Sequence, residues 1–169
     1  WYDLIAAAMK LSKRHSNIKF LCIGTGPERK DLESLTSKLG LEKCMTYASL
    51  PYGAMSDVFC AADIFAYPTL ATRYWNAQWG GGAVAEAMVS GLPIVATLNG
   101  GVFDLIGRGG GIFLQPQHFS GLADAIFKLY CEPKLRRKLG TRNRKYGCRH
   151  YSTSVVALKI KHFWDDVLK

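Results

Sequence analysis

Apolar residues recur along this chain in two alternating patterns. Short continuous apolar runs, such as IKFLCIG at 18–24 and PIVAT at 93–97, are typical of strands covered on both faces. Between such runs lie longer segments, beginning with residues 3–15, in which apolar residues recur every three or four positions, the period of a helix. Strands that alternate with helices indicate βαβ units. The pattern therefore predicts an α/β fold with a doubly wound, Rossmann-like parallel sheet.

Proline and glycine punctuate the predicted elements: Pro27 and Gly40 bound one helix, and Pro68 ends a strand. Strands are predicted at 18–24, 45–49, 64–69, 93–97 and 111–116. Helices are predicted at 3–15, 26–40, 52–63, 81–91, 120–131, 133–147 and 153–169, with a short helix after residue 100. Because the chain opens inside a helical pattern without a Met or a cap, we expect it to be a fragment of a longer protein.

The spacing of the cysteines and the distribution of charge limit the classes of function that this chain can have. The five cysteines include no C-x-x-C pair and the four histidines no ligand spacing, which predicts reduced thiols, mostly in the core, and no metal site. The net charge is +9, and the excess lies after residue 133, where eleven Lys and Arg meet only two Asp. This basic run is either a solvated helix face, a contact for an anionic membrane surface or, less favoured, a nucleic-acid contact.

Glycines follow two of the predicted strands. In a doubly wound sheet, ligands bind at the carboxyl ends of the strands. Gly24 and Gly26 follow the first strand, but Arg29 stands where a dinucleotide fingerprint needs its third glycine, so a tight turn is an alternative. Residues 80–82 are three glycines at the start of a predicted helix, where free amides and the helix dipole suit a phosphate. A flexible hinge is the other interpretation of this triplet.

Glu86 is the one charged residue in the apolar run AVAEAMV, about a turn into the same helix. A carboxylate there is costly unless it is paired or exposed, and it could accept both hydroxyls of a ribose. A solvated helix position is the alternative interpretation.

These motifs occur in a recognisable order: IGTGPERKDLESLTSKLGLE, MTYASLP, VFCAADIFAYPT, a glycine-rich turn, AVAEAMVSGLPIVAT and NGG. Residues 3–130 resemble the donor-binding C-terminal domain of a glycosyltransferase family 4 enzyme with the GT-B fold. The resemblance implies retaining transfer of a hexose from a nucleotide-diphosphate sugar to an acceptor hydroxyl, without a metal or another cofactor. It also implies that residues 1–150 form the nucleotide-sugar-binding domain, with its first strand missing, and that the helix in 151–169 packs on this domain or on the absent acceptor-binding domain.

The resemblance also implies site residues. Glu86 would bind the donor ribose, and the amides of Gly81, Gly82 and Ala83 would hold the diphosphate. The base would contact the backbone of Tyr47, Ala48 and Leu50, and Gly24 and Gly26 would shape the cleft. Gln78 and Glu86 stand at the positions of the two catalytic glutamates of the family.

Three departures from the family pattern are visible: Gln78 replaces the first glutamate, the loop from Pro68 to Gln78 is longer and rich in aromatic residues, and the upstream Arg and Lys motifs are missing. Two alternatives stay open: a non-catalytic or decayed nucleotide-sugar-binding module, and a GT-B nucleotide-sugar epimerase. A dinucleotide-binding oxidoreductase is disfavoured because the third glycine of its fingerprint is missing. The expected partners are the donor, an acceptor glycan, lipid or small molecule, and no nucleic acid. We expect a cytoplasmic location, with a peripheral contact to the inner face of an anionic membrane through the basic run.

Overall fold

The chain folds as an α/β protein, as the alternating pattern predicts. A computed structural model describes residues 1–69, 81–98, 100–107, 109–116 and 118–168. The strands are β1 Phe20–Ile23, β2 Met45–Ala48, β3 Phe65–Tyr67, β4 Ile94–Thr97 and β5 Gly111–Leu114. The helices are α1 Tyr2–Ser12, α2 Arg29–Lys38, α3 Met55–Ala61, α4 Gly81–Val89, α5 Gly100–Ile106, α6 Phe119–Cys131, α7 Pro133–Tyr151 and α8 Thr153–Val167, with a 3₁₀ turn at Tyr52–Ala54.

All strand pairs are parallel, which confirms the predicted fold class. Strand β1 pairs with β2, and a second sheet has the order β3-β4-β5. No backbone pairing joins the two sheets within the described ranges. Parallel strands end at the same edge of their sheet, so the carboxyl ends of β1 and β2 share one edge of the first sheet, and those of β3, β4 and β5 share one edge of the second. Site residues are therefore expected in the loops that leave these ends.

Two apolar clusters hold the layers together. The larger one joins α1 and α6 to the buried residues of β1 and β2 and to Val95 of β4. The second joins α4 and α5 to Ile94 and Ala96, the neighbours of Val95. Successive side chains of a strand point to opposite faces, so β4 is covered on both sides, as its continuous apolar run indicates.

Helix α7 approaches α4 at backbone distance. A Cβ on Gly140 would overlap the carbonyl of Gly91, which follows α4, and one on Gly147 would lie 3.1 Å from Met88 Cβ within α4. Both glycines are buried, so the two helices pack without side chains between them at these points. This explains why α7 continues through Gly147 to Tyr151, whereas the sequence analysis ends the helix at that glycine. Gly147 is a packing residue and not a helix stop.

Asn143 lies between these two glycines on the same face of α7. Its side chain is fully buried, and its amide Nδ2 donates to the carbonyl of Leu92 at 2.8 Å and to that of Gly110 at 2.7 Å. The two carbonyls belong to the segments that lead into β4 and β5. One side chain therefore fixes α7 to the starts of two neighbouring strands, and it satisfies two buried acceptors that no strand partner reaches.

Other expectations need correction. The predicted helix 52–63 is a 3₁₀ turn followed by the short helix α3. Only Cys22 and Cys44 are buried, and the remaining three cysteines, all exposed, contradict the expectation that most thiols lie in the core. These three cysteines are exposed because they lie on the outer faces of α3, α6 and α7. The helical period alone did not show which face of each helix points to solvent.

Helix α8 presents its large apolar side chains to solvent. None of its residues is buried, and Phe163 and Trp164 are 62% and 53% exposed. The expectation that this face packs on a neighbouring element stays a prediction. In the part of the chain that the structure describes, no helix is long and apolar enough to cross a membrane.

The seam between α4 and α7 gives the first testable prediction. We expect Asn143→Leu to lower the free energy of unfolding by about 2–4 kcal/mol, because two buried carbonyls lose their donor. Gly140→Ala should cost about 1–3 kcal/mol through overlap with the backbone, despite the higher helix propensity of Ala. Urea unfolding followed by circular dichroism measures both changes. Thr141→Ala, at an exposed position of the same helix, is the matched control, and losses equal to that control would contradict the prediction.

Candidate functional site

The loop after β1 turns sharply at Gly24. Its φ of 151° lies in the region that favours glycine, and its amide donates to the carbonyl of Ala48 at the end of β2, at 3.0 Å. A Cβ on Gly24 or on Gly26 would meet no atom within 4 Å, so neither glycine is required by packing. The structure thus leaves open space above both glycines, as expected of residues that shape a cleft.

A cleft of about 310 Å³ opens at this point. It lies at the carboxyl end of β1 and the start of α2, where an α/β fold is expected to bind a ligand. Its lining brings together three residues predicted for the site, Gly24, Gly26 and Tyr47. The other lining residues are Trp1, Cys22, Thr25, Pro27, Glu28, Arg29 and Leu32.

Arg29 organises the rim of this cleft, a role that the sequence analysis missed. Its guanidinium donates to the carbonyl of Gly24 at 3.3 Å and to that of Tyr47 at 3.1 Å, and Nε pairs with Glu33 at 2.8 Å. The Arg–Glu spacing of four on a predicted helix was a visible signal for the ion pair. The two carbonyl contacts depend on the loop geometry, which no local pattern shows. Arg29 therefore ties the β1 loop to the end of β2.

The residues predicted to meet the base are only partly accessible. The phenol of Tyr47 shares a hydrogen bond with the hydroxyl of Thr36 at 2.8 Å, and burial raises its pKa. The carbonyls of Tyr47 and Ala48 already accept hydrogen bonds from Arg29 and Gly24. Leu50, beyond the strand, is 38% exposed. Contact between these three residues and a base stays a prediction. Of the three, Leu50 is the one whose carbonyl accepts no hydrogen bond from Arg29 or Gly24.

Helix α4 begins at Gly81, and its first turn leaves amides without an intrahelical acceptor. A Cβ on Gly81 would come no closer than 3.9 Å to another described atom, and one on Gly82 would meet nothing within 4 Å. Gly82 and Ala83 are exposed. Among the described residues, this helix start therefore presents accessible donors with no bulky side chain next to its two glycines, which is the geometry an anion needs.

Glu86 is half-buried on α4 and is not simply solvated. Its Oε1 accepts a hydrogen bond of 3.1 Å from the phenol of Tyr52, in the 3₁₀ turn beyond β2. The contact raises the pKa of Tyr52, chiefly through this hydrogen bond and then through the negative charge of Glu86. The local sequence pattern indicates Glu86 but not Tyr52, because the two residues lie 34 positions apart in the chain.

Thr97 is a third residue near the strand ends that the sequence did not reveal. It is buried at the end of β4, and its hydroxyl donates to the carbonyl of Thr69 after β3. Thr97 therefore fixes the point at which the chain leaves β3. Several predicted features lie outside the described residues, namely Gln78, Gly80, Asn99 and the aromatic loop that contains Arg73, Tyr74, Trp75 and Trp79.

A second concavity lies along α7 and holds none of the predicted site residues. Its volume is about 740 Å³, and the cationic side chains that line it are Lys134, Arg137, Lys138, Arg142, Lys145 and Arg149, with Thr141, Tyr146 and His150. Within the described ranges, no three or more His, Cys, Asp or Glu side chains cluster so that they could hold a metal ion. The polar groups that the structure describes near the strand ends include backbone amides, hydroxyls, the guanidinium of Arg29 and the carboxylates of Glu28 and Glu86.

Comparison with known proteins places this geometry in context. A family model described as glycosyl transferases group 1 matches residues 2–146. The chain is 30% identical over 166 residues to the alpha-D-kanosaminyltransferase of Streptomyces kanamyceticus, covering 96% of this chain and 41% of that protein. It is 32% identical over 146 residues to the D-inositol 3-phosphate glycosyltransferase of Corynebacterium jeikeium, covering 81% and 33%. The chain thus spans well under half the length of these curated relatives.

Solved structures share the fold. The structure of HepE from Anabaena in complex with UDP-glucose superimposes with a TM-score of 0.82 at 20% identity, covering 98% of this chain and 45% of that one. The sucrose-phosphate synthase from Thermosynechococcus elongatus gives a TM-score of 0.81 at 21% identity, covering 97% and 42%.

Cys22 lines the cleft and generates a prediction on pH. Burial raises the pKa of its thiol from 9.0 to about 11. Above pH 9 the unfolded chain loses this proton while the folded chain keeps it, so stability falls between pH 9 and pH 11. The cost for this one group is roughly 2–3 kcal/mol across that window.

We expect Cys22→Ala to flatten this part of the stability profile, measured by urea unfolding at pH 8, 9, 10 and 11. Cys148→Ala, at an exposed position, is the control and should keep the slope of the unmodified chain. Parallel profiles for all three proteins would show that the thiol of Cys22 stays solvated.

Proposed function

Because the chain belongs to the glycosyl transferases group 1 family, we propose that it binds the donor of a retaining transferase, one that moves a hexose from a nucleotide-diphosphate sugar to an acceptor hydroxyl. We further assign it to glycosyltransferase family 4, as the C-terminal half of a GT-B fold. The observation on which the proposal rests is the joint placement of two groups on α4. Exposed amides begin the helix, and a half-buried carboxylate, Glu86, follows five residues later.

The chemistry needs stabilisation of the leaving group. As the bond between the sugar and the diphosphate breaks, negative charge grows on the diphosphate. Preorganised amides at a helix start stabilise such charge at no reorganisation cost. In this proposal the amides of Gly81, Gly82 and Ala83 supply that stabilisation, and the absence of a Cβ on the two glycines lets the backbone approach the phosphates.

Glu86 would bind the donor through its ribose. A carboxylate accepts up to about four hydrogen bonds, so it can hold the two vicinal hydroxyls together. Gln78 would face the sugar; it can hydrogen-bond a hydroxyl but carries no charge. Tyr47, Ala48 and Leu50 would contact the base, with Gly24 and Gly26 shaping the cleft. This mechanism needs neither a metal nor a further cofactor.

Relatives and structural neighbours support the choice of donor. The alpha-D-kanosaminyltransferase and the D-inositol 3-phosphate glycosyltransferase are sugar transferases by name, and the HepE structure holds UDP-glucose. A GT-B site closes between two domains, so the acceptor, a glycan, a lipid or a small molecule, would bind to a part of the protein outside this chain. We expect no transfer activity from residues 1–169 alone.

We also propose a cytoplasmic location with a peripheral contact to an anionic membrane. The cations that line the groove on α7 extend from Lys134 to Arg149, about 23 Å along the axis at 1.5 Å per residue. Helix α7 contains no Asp or Glu. Its neighbour α8 exposes Phe163 and Trp164, residue types that enter the headgroup region of a bilayer. This combination favours a lipid surface over nucleic acid.

The ribose assignment has a direct test. We expect Glu86→Ala to weaken binding of the preferred nucleoside diphosphate among UDP, GDP and ADP by about 1–3 kcal/mol, the range for a charge-assisted hydrogen bond. Isothermal titration of the full-length protein measures the change. Asp31→Ala, an exposed carboxylate on α2, removes the same charge and should leave the affinity unchanged. Unchanged affinity in Glu86→Ala would refute the assignment.

The membrane contact is tested with vesicles of phosphatidylcholine, with and without 30% phosphatidylserine. A triple variant, Arg137→Gln with Lys138→Gln and Lys145→Gln, should bind the anionic vesicles at least about tenfold more weakly, given roughly 1 kcal/mol per basic residue near such a surface. Neutralising Lys30, Lys38 and Lys43 instead changes the net charge equally and is the control. Equal binding by both triple variants, or preference of the unmodified protein for a single-stranded oligonucleotide over the vesicles, would contradict the proposal.

A further inference from the structure

Tyr52 makes a contact that the proposed donor site does not by itself require. It opens the 3₁₀ turn that follows Pro51, on the chain leaving β2, and its phenol reaches α4 to donate to Glu86 Oε1 at 3.1 Å. This hydrogen bond connects the loop of the first sheet to the helix that follows β3 of the second. It brings a second polar side chain to the one carboxylate on α4.

The ring of Tyr52 is not held by packing. Its exposed fraction is 80%, among the highest of the large apolar and aromatic side chains that the structure describes. Burial therefore does not explain the position of the phenol, and within the described ranges the hydrogen bond to Glu86 is the polar contact that directs its hydroxyl. The phenol is protonated at neutral pH and acts as the donor, and the hydrogen bond to Glu86, followed by the negative charge of Glu86, raises its pKa further above the ordinary value.

The carboxylate of Glu86 can accept further hydrogen bonds. One phenol occupies one lone pair of Oε1, so Oε2 and the second lone pair of Oε1 stay available to other donors. A vicinal diol presents two hydroxyls about as far apart as the two oxygens of a carboxylate. A Glu side chain that is free to rotate loses rotamer entropy when it binds such a diol, whereas one already held by a phenol has lost part of it beforehand.

We propose that Tyr52 is a positioning residue that holds Glu86 ready for the two ribose hydroxyls of the donor, and so sets a preference for ribonucleotides over dideoxyribonucleotides. This inference rests on the proposed function, because it assigns Glu86 to the ribose. It adds a residue outside the motifs that carry the family resemblance. The effect of Tyr52 passes through Glu86, so it depends on the diol and vanishes when either the diol or the carboxylate is removed.

The experiment compares two ligands on matched variants of the full-length protein. The ligands are the preferred nucleoside diphosphate among UDP, GDP and ADP and its 2′,3′-dideoxy form, titrated calorimetrically. Tyr52→Phe keeps the ring and removes the hydroxyl. We expect it to weaken binding of the ribonucleotide about three- to tenfold, the range for one hydrogen bond, and to leave binding of the dideoxynucleotide unchanged. Tyr2→Phe, at an exposed position of α1, is the control and should change neither affinity.

The same substitution in a Glu86→Ala background separates the inference from the proposed function. There Tyr52→Phe should have no further effect on the ribonucleotide. If Glu86→Ala weakens the ribonucleotide and Tyr52→Phe does not, or if Tyr52→Phe affects both ligands equally or tightens either, the positioning role is overturned and the ribose assignment stands. If Glu86→Ala leaves both ligands unaffected, or if no nucleoside diphosphate binds, the ribose assignment itself fails, and this inference fails with it.

Discussion

The close approach of α7 to α4 is the constraint on which the candidate site depends. Gly140 and Gly147 remove the side chains that would separate the two helices, and Asn143 between them binds the carbonyls that lead into β4 and β5. These contacts set where α4 lies against its sheet. Because the start of α4 and Glu86 move with that helix, a shift at the seam would displace both groups proposed to hold the donor. A contact distant from the ligand thus determines the geometry of the site.

Short polar contacts then fix the loops at the strand ends. Arg29 binds two carbonyls of the β1 and β2 loops, and Thr97 holds the end of β3. Most of these contacts use backbone acceptors. A few side chains that bind backbone carbonyls consequently preorganise the loops, and the groups exposed beside them include glycines, backbone amides and the carboxylate of Glu86. This arrangement fits the proposed recognition of a diphosphate and a ribose, the parts that UDP-, GDP- and ADP-sugars share.

The sequence predicted the order of strands and helices well because apolar period is a local property. It also singled out Gly24, Gly81 and Glu86 as candidates, since glycines after a strand and a lone carboxylate in an apolar helix are visible in short windows. It missed Tyr52, Arg29 and Thr97 because their partners are distant in the chain or are backbone groups. It misread Gly147 as a helix stop, since a packing glycine and a capping glycine are the same letter. The position of Gln78 stays open, because residues 70–80 are not described.

Helix α7 has one face that packs against the rest of the fold and one face that carries cations. The seam residues Gly140, Asn143 and Gly147 lie on one side, and the cations from Lys134 to Arg149 lie on the other. The seam residues serve folding, whereas the cations serve contacts at the surface. Substitutions on one face of α7 therefore need not affect the other face. A change in the charge of this helix can therefore leave its three seam positions, and with them the placement of α4, undisturbed.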